Sequence, residues 1–298
     1  MPLGTFVPRL TQFLVEPRRE KKTRLLIWRV LRRIAPSQPI CVRLPYGGWW
    51  SSINDVASQR IFCQCMDVPE WKWMVRFLRE GMTAVDIGAH HGFYTILMSK
   101  AVGASGRVIA FEPSPRERER LAYHLRLNRC GNVSTEPLAV SDQSGEAALF
   151  VCQGRETGCN SLRPPNVSES TQTVTVTLTT LQDYLRTASP PIPHIDLIKI
   201  DAEGSELKIL KGCGGLLKSY PRPIILCEVD DSRTRAFGYL SGTISSFLRG
   251  HNYALFGLTN NGVPTTIEKS SAYNTLAVPE ERLYELGMTA LSPQPSSC

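Results

Sequence analysis

The stretch from Val85 to Pro113 constrains the chain more than any other, because it has the grammar of a nucleotide-binding β-α-β unit. A short β-branched strand runs into Asp86, a turn flanked by Gly88 and Gly92 follows, an apolar helix pattern comes next, and a second strand ends in Glu112. Glycines in such a turn let the backbone pass close to a ligand and then open a helix whose free N–H groups face the same crevice. A ligand is expected at this turn.

The loop itself selects among ligands. A dinucleotide site asks for G-x-G-x-x-G, which brings a pyrophosphate onto the helix N-terminus. Between Gly88 and Gly92 stand Ala89, His90 and His91, so the middle glycine is missing, and Asp86 sets a negative charge where a phosphate would approach. A phosphate-free, positively charged ligand with a ribose suits the loop, and Glu112 at the end of the next strand can accept from both ribose hydroxyls. S-adenosylmethionine has this chemistry. The residues expected to hold it here are Asp86, Gly88, Ala89, His90, Gly92, Tyr94, Thr95, Glu112 and Pro113.

The segments V-D-I-G-A-H-H-G-F-Y-T, F-E-P-S-P, A-V-S-D-Q-S-G and D-L-I-K-I-D-A-E-G-S-E-L-K-I-L-K-G occur in that order. In content and interval they resemble the FkbM family of S-adenosylmethionine-dependent methyltransferases, over residues 83 to 279. The resemblance implies a Rossmann-like class I methyltransferase whose last strand is antiparallel, with S-adenosylmethionine as cofactor. It also implies O-methylation of a hydroxyl on a sugar, a glycan or glycolipid, or a natural product. Asn160 and Ser161 match an Asn-Ser-Leu of similar sequences, whereas His90 stands where the family usually carries Asn.

Taken in order, the pattern predicts strands at Thr83–Ile87, Arg107–Phe111, Val133–Val140, Ile195–Ile200, Pro223–Val229, Tyr253–Gly257 and Tyr273–Val278. Helices are expected at Phe93–Ala101, Pro115–Arg129, Thr180–Arg186, Ser205–Leu217 and Ile244–Arg249. This alternation gives an α/β fold, a doubly wound, mainly parallel seven-stranded sheet covered on both faces. Ala147–Val151 and Thr173–Leu178 read as an inserted hairpin with a long polar loop, a common place for substrate contacts.

Chemistry is expected at the ends of the third and fourth strands. Asp142 is positioned to accept from the adenine amine. Asp201 and Glu203, in Asp201-Ala202-Glu203-Gly204, should lie beside the cofactor and acceptor, with Glu228 at the end of the fifth strand. A hydroxyl acceptor must lose a proton, and Asp201, then Glu203 or Glu228, are the candidate catalytic residues; His91 and His194 are weaker ones. Lys199 is expected to pair with a neighbouring acid. No metal is predicted. The D-A-E-G sequence lacks the two prolines and aromatic found in methyltransferases acting on DNA base amines, so no nucleic-acid partner is expected.

Charge organises the N-terminus. Residues 1 to 40 hold nine Lys and Arg against Glu16 and Glu20, which accounts for the whole net charge of +7. Leu25, Leu26, Ile27, Trp28, Val30, Leu31 and Ile34 alternate with cations at nearly helical spacing, so residues 9 to 34 read as a basic amphipathic helix. Three outcomes stay open: it docks its apolar side on the protein's own core, touches an anionic membrane peripherally, or is a disordered extension. The expected units are an extension (1–35), a cap subdomain (36–80), a methyltransferase domain (81–280) and a tail (281–298). In the cap, Cys41–Ile53 reads as a hairpin, Asn54 as a helix cap, and Glu70–Glu80 as a helix after Pro69. Trp49, Trp50, Trp71 and Trp73 read first as core and lid packing, with an aromatic wall for an acceptor as the alternative. No run of eighteen apolar residues and no signal-peptide pattern occur, and the nine cysteines include no C-x-x-C pair, so a cytoplasmic protein is expected, peripheral on the inner membrane face in the case that the N-terminal helix meets a membrane. Two other classes stay open: an NAD-dependent Rossmann oxidoreductase, which Glu112 permits, and a catalytically impaired methyltransferase fold acting through membrane or partner binding, which His90 motivates.

Overall fold

The computed structural model describes residues 21–267, 274–284 and 287. The expectations for residues 1–20, for Tyr273 and for most of the C-terminal tail lie outside these. The inner strands of the central sheet are short and mainly apolar, as strands covered on both faces must be, whereas the edge strands are polar and half-buried. The strands are β3 (Thr83–Ile87), β4 (Arg107–Phe111), β5 (Val133–Glu136), β9 (Leu197–Ile200), β10 (Ile224–Glu228), β11 (Tyr253–Leu258), β12 (Pro264–Thr265) and β13 (Asn274–Pro279). Their order is β12-β11-β13-β10-β9-β3-β4-β5, with β13 antiparallel to both neighbours and the run from β10 to β5 parallel. Six of the seven expected strands and the first half of the third are in this sheet, and β12 adds an eighth at the edge.

Alternate residues of each strand feed two apolar layers. Ala84, Val108, Ala110 and Leu197 pack with α4 (Phe93–Val102) and α5 (Pro115–Asn128). Val85, Ile87, Ile109 and Ile198 pack with α6 (Leu181–Thr187), α7 (Glu206–Gly212) and α9 (Gly242–Gly250). The buried charges of these strands are Lys199 in β9 and Asp86 of β3, directly opposite each other in the ladder.

The third strand is not continuous. At Pro137 the chain leaves β5, because proline has no N–H to donate to the ladder, and resumes as β6 (Leu138–Val140) in a separate three-stranded sheet, β6-β8-β7. Its other members, β7 (Gly145–Cys152) and β8 (Thr171–Thr179), are the expected hairpin. The helix expected over Ser205–Leu217 stops at Gly212 and continues as a 3₁₀ turn, Gly214–Leu217. A Cβ on Gly212 would sit 1.9 Å from the Ser141 carbonyl oxygen, so the glycine marks a close crossing of chains.

The N-terminal segments share the core of the first layer. The hairpin β1 (Ile40–Arg43) and β2 (Trp49–Ser52) is fixed to α5 by Asn128, which accepts from the Trp49 N–H (2.7 Å) and donates to its carbonyl (2.8 Å). α2 (Val56–Phe62) is capped by Asp55, not Asn54: the Asp55 carboxylate accepts from the Ser58 N–H at 2.6 Å. α3 occupies Val68–Phe77, ending a turn earlier than expected. Trp50 and Trp73 are core residues, and none of the four tryptophans lines either of the two cavities described below, in keeping with packing. At the far end Arg222 pairs with Glu281, and Leu283 is buried. Among the described residues no helix is long and apolar enough to cross a membrane, and the eight described cysteines form no disulfide.

α1 (Lys21–Ile34) docks on the protein's own core, one of the expected outcomes, with Trp28 buried and Leu25, Ile27 and Leu31 partly buried against it. Arg24, Trp28 and Arg32 face inward, while Leu26, Val30 and Ile34 face out. Arg24 donates to the Phe62 carbonyl (3.1 Å), and Arg32 donates to the Gln38 and Ser52 carbonyls (2.8 and 2.9 Å) and lies over the Trp28 ring. The arginines satisfy backbone carbonyls at the packing surface, while three of the helix's apolar residues, Leu26, Val30 and Ile34, remain on the outer face.

Candidate active site

The crevice at the C-terminal ends of β3, β9 and β10 is built from a contact that only glycine permits. Gly88 has φ +80°, and a Cβ there would lie 1.8 Å from the Asp201 carbonyl oxygen, so the loops after β3 and β9 touch. His90 follows at φ +50°, a left-handed conformation that Asn, Asp and His adopt more readily than other side chains. Histidine thus meets the conformational demand of this position. The His90 N–H donates to Glu112 Oε2 (2.8 Å), and Ser114 N–H donates to Oε1 (2.9 Å). Burial pushes the Glu112 carboxyl up to about 7 against these two N–H groups.

Glu112 borders a cavity of about 580 Å³. Phe111, Pro113, Leu138, Val140 and Leu149 give it apolar walls, and Asn160 and Ser161 of the β7–β8 loop close it. A slot with apolar sides and a buried carboxylate that retains unused lone pairs fits the adenosine half of S-adenosylmethionine. Asn160 donates to Glu117 (2.9 Å) and Ser161 to the Glu203 carbonyl (2.7 Å), which anchors the loop on both sides.

A second, wider cleft of about 1490 Å³ opens beside the first, between the cap, the β7–β8 loop and the ends of β9 and β10. The two cavities share Gly88, His90, Gly158, Asp201 and Glu203; Ala89, Tyr94, Lys199 and Glu228 border the wider one. Lys199 Nζ lies 3.0 Å from Asp201 Oδ2, 4.0 Å from Asp86 Oδ1 and 4.5 Å from the Tyr94 ring centre. Against the cost of burial, Asp201 and Asp86 raise it to about 12, so it stays a cation and is no base. Glu203 pairs with Arg233 at 2.9 Å, yet burial and Asp201 push it up to about 8. Burial, then Asp201 and Glu203, push Glu228 up to about 10. One oxygen from each of Asp201, Glu203 and Glu228 falls within a 4.8 Å group, a spacing that would admit a divalent cation. Lys199 and Arg233 already supply charge to two of the three.

The other expected residues divide. Asp86 and Thr95 bond each other (2.6 Å) beneath the loop, and neither borders a cavity; Gly92 packs on Leu121. Asp142 also stands outside both, its carboxylate 3.9 Å from Lys208. His194 is remote, beside Asp196. His91 is buried, with Nε2 2.8 Å from Glu117 Oε2 and Nδ1 3.4 Å from Asp55 Oδ2, so it fastens the cap to α5. The His90 ring stacks on it and reaches Thr157 Oγ1 (3.1 Å). Glu117, despite burial, is pulled down to about 2 by His91 and Arg116. Asp55, Asp67, Glu117, Thr157 and Arg233 were not singled out from sequence. Each is brought in by a long-range contact, and only the position of Arg233 just past the end of β10 offered a signal.

The family described as the methyltransferase FkbM domain matches residues 86–255, more than half of the chain. The chain belongs to this family. FkbM membership retires the dinucleotide oxidoreductase alternative and makes S-adenosylmethionine the cofactor that the fold is built to bind. Among curated relatives, methyltransferase sdnD of Sordaria araneosa is 28% identical, over 43% of this chain and 59% of its own length. Methyltransferase 1 of Beauveria bassiana is 25% identical, over 43% of this chain and 57% of its own. The chain thus spans under two thirds of the length of these relatives. Solved structures similar to this FkbM chain include a precorrin-6y C5,15-methyltransferase from Geobacter metallireducens (TM-score 0.41, 14% identity, covering 71% of this chain and 85% of that one). Another is an S-adenosylmethionine-dependent methyltransferase from Aquifex aeolicus (TM-score 0.39, 15% identity, covering 70% and 88%).

Proposed function

We propose that the protein O-methylates a hydroxyl of a sugar, a glycan or glycolipid, or a natural product, with S-adenosylmethionine as donor. The observation that carries this reading is the carboxylate pair Glu203, at the junction of the two cavities and at about 8, and Glu228, in the wider cleft and at about 10. When bound, S-adenosylmethionine supplies a methyl group made electrophilic by positive sulfur. Glu112 and the apolar walls around Leu138 and Val140 hold the adenosine, and the rest of the cofactor passes Gly88, which borders both cavities, to the junction. Glu203, with an affinity for protons near neutrality, takes the proton that leaves the acceptor hydroxyl. Glu228, protonated at neutral pH, donates a hydrogen bond to a neighbouring acceptor oxygen. Lys199 stays charged and holds Asp201 in place. Peripheral contact of residues 9 to 34 with the inner face of a membrane belongs to the same reading, with α1 as its described part.

Calorimetric titration with S-adenosylhomocysteine tests the cofactor site: Glu112→Ala should weaken binding by about 2 kcal/mol, as for a lost charge-assisted pair of hydrogen bonds. Unchanged affinity would remove Glu112 from the site. Transfer from methyl-labelled S-adenosylmethionine to polyol, glycoside and amine acceptors tests the acceptor class: label on oxygen supports the reading, and label on nitrogen alone overturns it.

A further inference from the structure

The outward face of α1 carries two rows. Leu26, Val30 and Ile34 recur every four residues and are 63%, 47% and 76% exposed. Lys22, Arg29 and Arg33, also exposed, form the row along one side of them. The helix, K-K-T-R-L-L-I-W-R-V-L-R-R-I, contains no acid. Its inward face is already committed, through Trp28 in the core and through Arg24 and Arg32 on backbone carbonyls, so the outward rows are not needed for docking onto the protein.

We infer that α1 is a membrane-docking ridge that seats Leu26, Val30 and Ile34 among the acyl chains of an anionic lipid surface while Lys22, Arg29 and Arg33 meet its phosphates. This deepens the peripheral contact proposed above by naming the face and by requiring no unfolding of the helix. Charge selects the occupant. Residues 1 to 40 carry the protein's entire surplus of +7, so a second copy laid on this face would bring like charges together, whereas an anionic surface neutralises them. Side chains three and four apart on one helix face lie level with each other, which suits a planar partner.

The test is co-sedimentation of the full chain with phosphatidylcholine vesicles, with and without phosphatidylserine, for wild type, Leu26→Ser/Val30→Ser/Ile34→Ser and Lys22→Glu/Arg29→Glu/Arg33→Glu. Wild type should bind only the anionic vesicles. Both triple variants should lose binding, by about fivefold or more per cation in the charge variant. Melting midpoints should not move, since these side chains are exposed, and S-adenosylhomocysteine affinity should stay unchanged, which separates this proposal from the methyl-transfer reading. Wild-type binding to neutral vesicles as strongly as to anionic ones, or to neither, overturns the inference. So does full binding by either variant. A fall in the melting midpoint of the serine variant with vesicle binding intact would mean that residues before 21 cover the face. Loss of a concentration-dependent dimer in that variant, with no vesicle binding by wild type, would mean a second copy does.

Discussion

Replacing Lys199 by Met should turn a silent buried charge pair into a pH-dependent liability. Lys199 and Asp86 are each 1% exposed, and Asp86 Oδ1 has no hydrogen bond, only the ammonium 4.0 Å away. At that distance the attraction is about 4 kcal/mol for an effective dielectric of 20, and stripping one partner from a buried pair costs about 3–5 kcal/mol. A ceiling comes from protonation. From its ordinary value of 3.8, a neutral Asp86 at pH 7 costs about 1.4 kcal/mol per unit, so about 4 kcal/mol in all. Methionine keeps most of the packing over Tyr94. Urea unfolding, read through the buried Trp28, Trp50 and Trp73, should therefore show a loss of about 3–4 kcal/mol at pH 7. The sign follows from which state holds the proton. In the variant the folded Asp86 binds it more tightly than the unfolded chain, so stability falls as pH rises above 3.8, and the deficit at pH 5 should be under about 2 kcal/mol. Asp86→Asn in the same background should recover most of the loss at pH 7. A deficit that ignores pH, or a double variant no better than the single, would refute the assignment of that cost to Asp86.

Methyl transfer should rise with pH as Glu203 ionises around 8, and Glu203→Gln should lower turnover about 10²-fold or more and flatten that limb; an unchanged profile would exclude Glu203 as the base. Gly88→Ala should abolish S-adenosylhomocysteine binding in calorimetry and cost about 2–5 kcal/mol in urea unfolding, because left-handed strain adds to a clash with the Asp201 backbone. His124, buried against Trp50, is held down to about 3 by burial, so its stabilising contribution is complete above 6.5 and is lost as pH falls towards 3. His124→Gln should make the urea midpoint less sensitive to pH between 6.5 and 4.

The parts of this fold that are legible in one sequence are those where local pattern and backbone demand coincide. Gly88, the apolar run before Asp201 and the acid at Glu112 each announce a strand end or turn by themselves, and together they set out the sheet and the crevice. The break at Pro137 is harder to read, because Val133–Glu136 and Leu138–Val140 are both strand-like and only the missing proline N–H separates their sheets. In α1 the apolar and basic rows are visible in the sequence, but which row faces inward depends on the free carbonyls at Phe62, Gln38 and Ser52. The second ring of site residues is invisible for the same reason. Asp55 meets His91, and Glu203 meets Arg233, across tens of residues, and no spacing rule encodes such pairs.

The β7–β8 insertion separates what can vary from what cannot. Eight paired positions, from Gly145 with Leu178 to Cys152 with Thr171, fix its stem, and Asn160 and Ser161 pin its loop to Glu117 and the Glu203 carbonyl. The remaining residues between 153 and 170 are tethered at both ends and lie outside the central sheet, so lengthening them costs little closure entropy. Divergence in acceptor preference is therefore expected to accumulate in that loop as insertions and side-chain exchange, with the cofactor loop inherited almost unaltered.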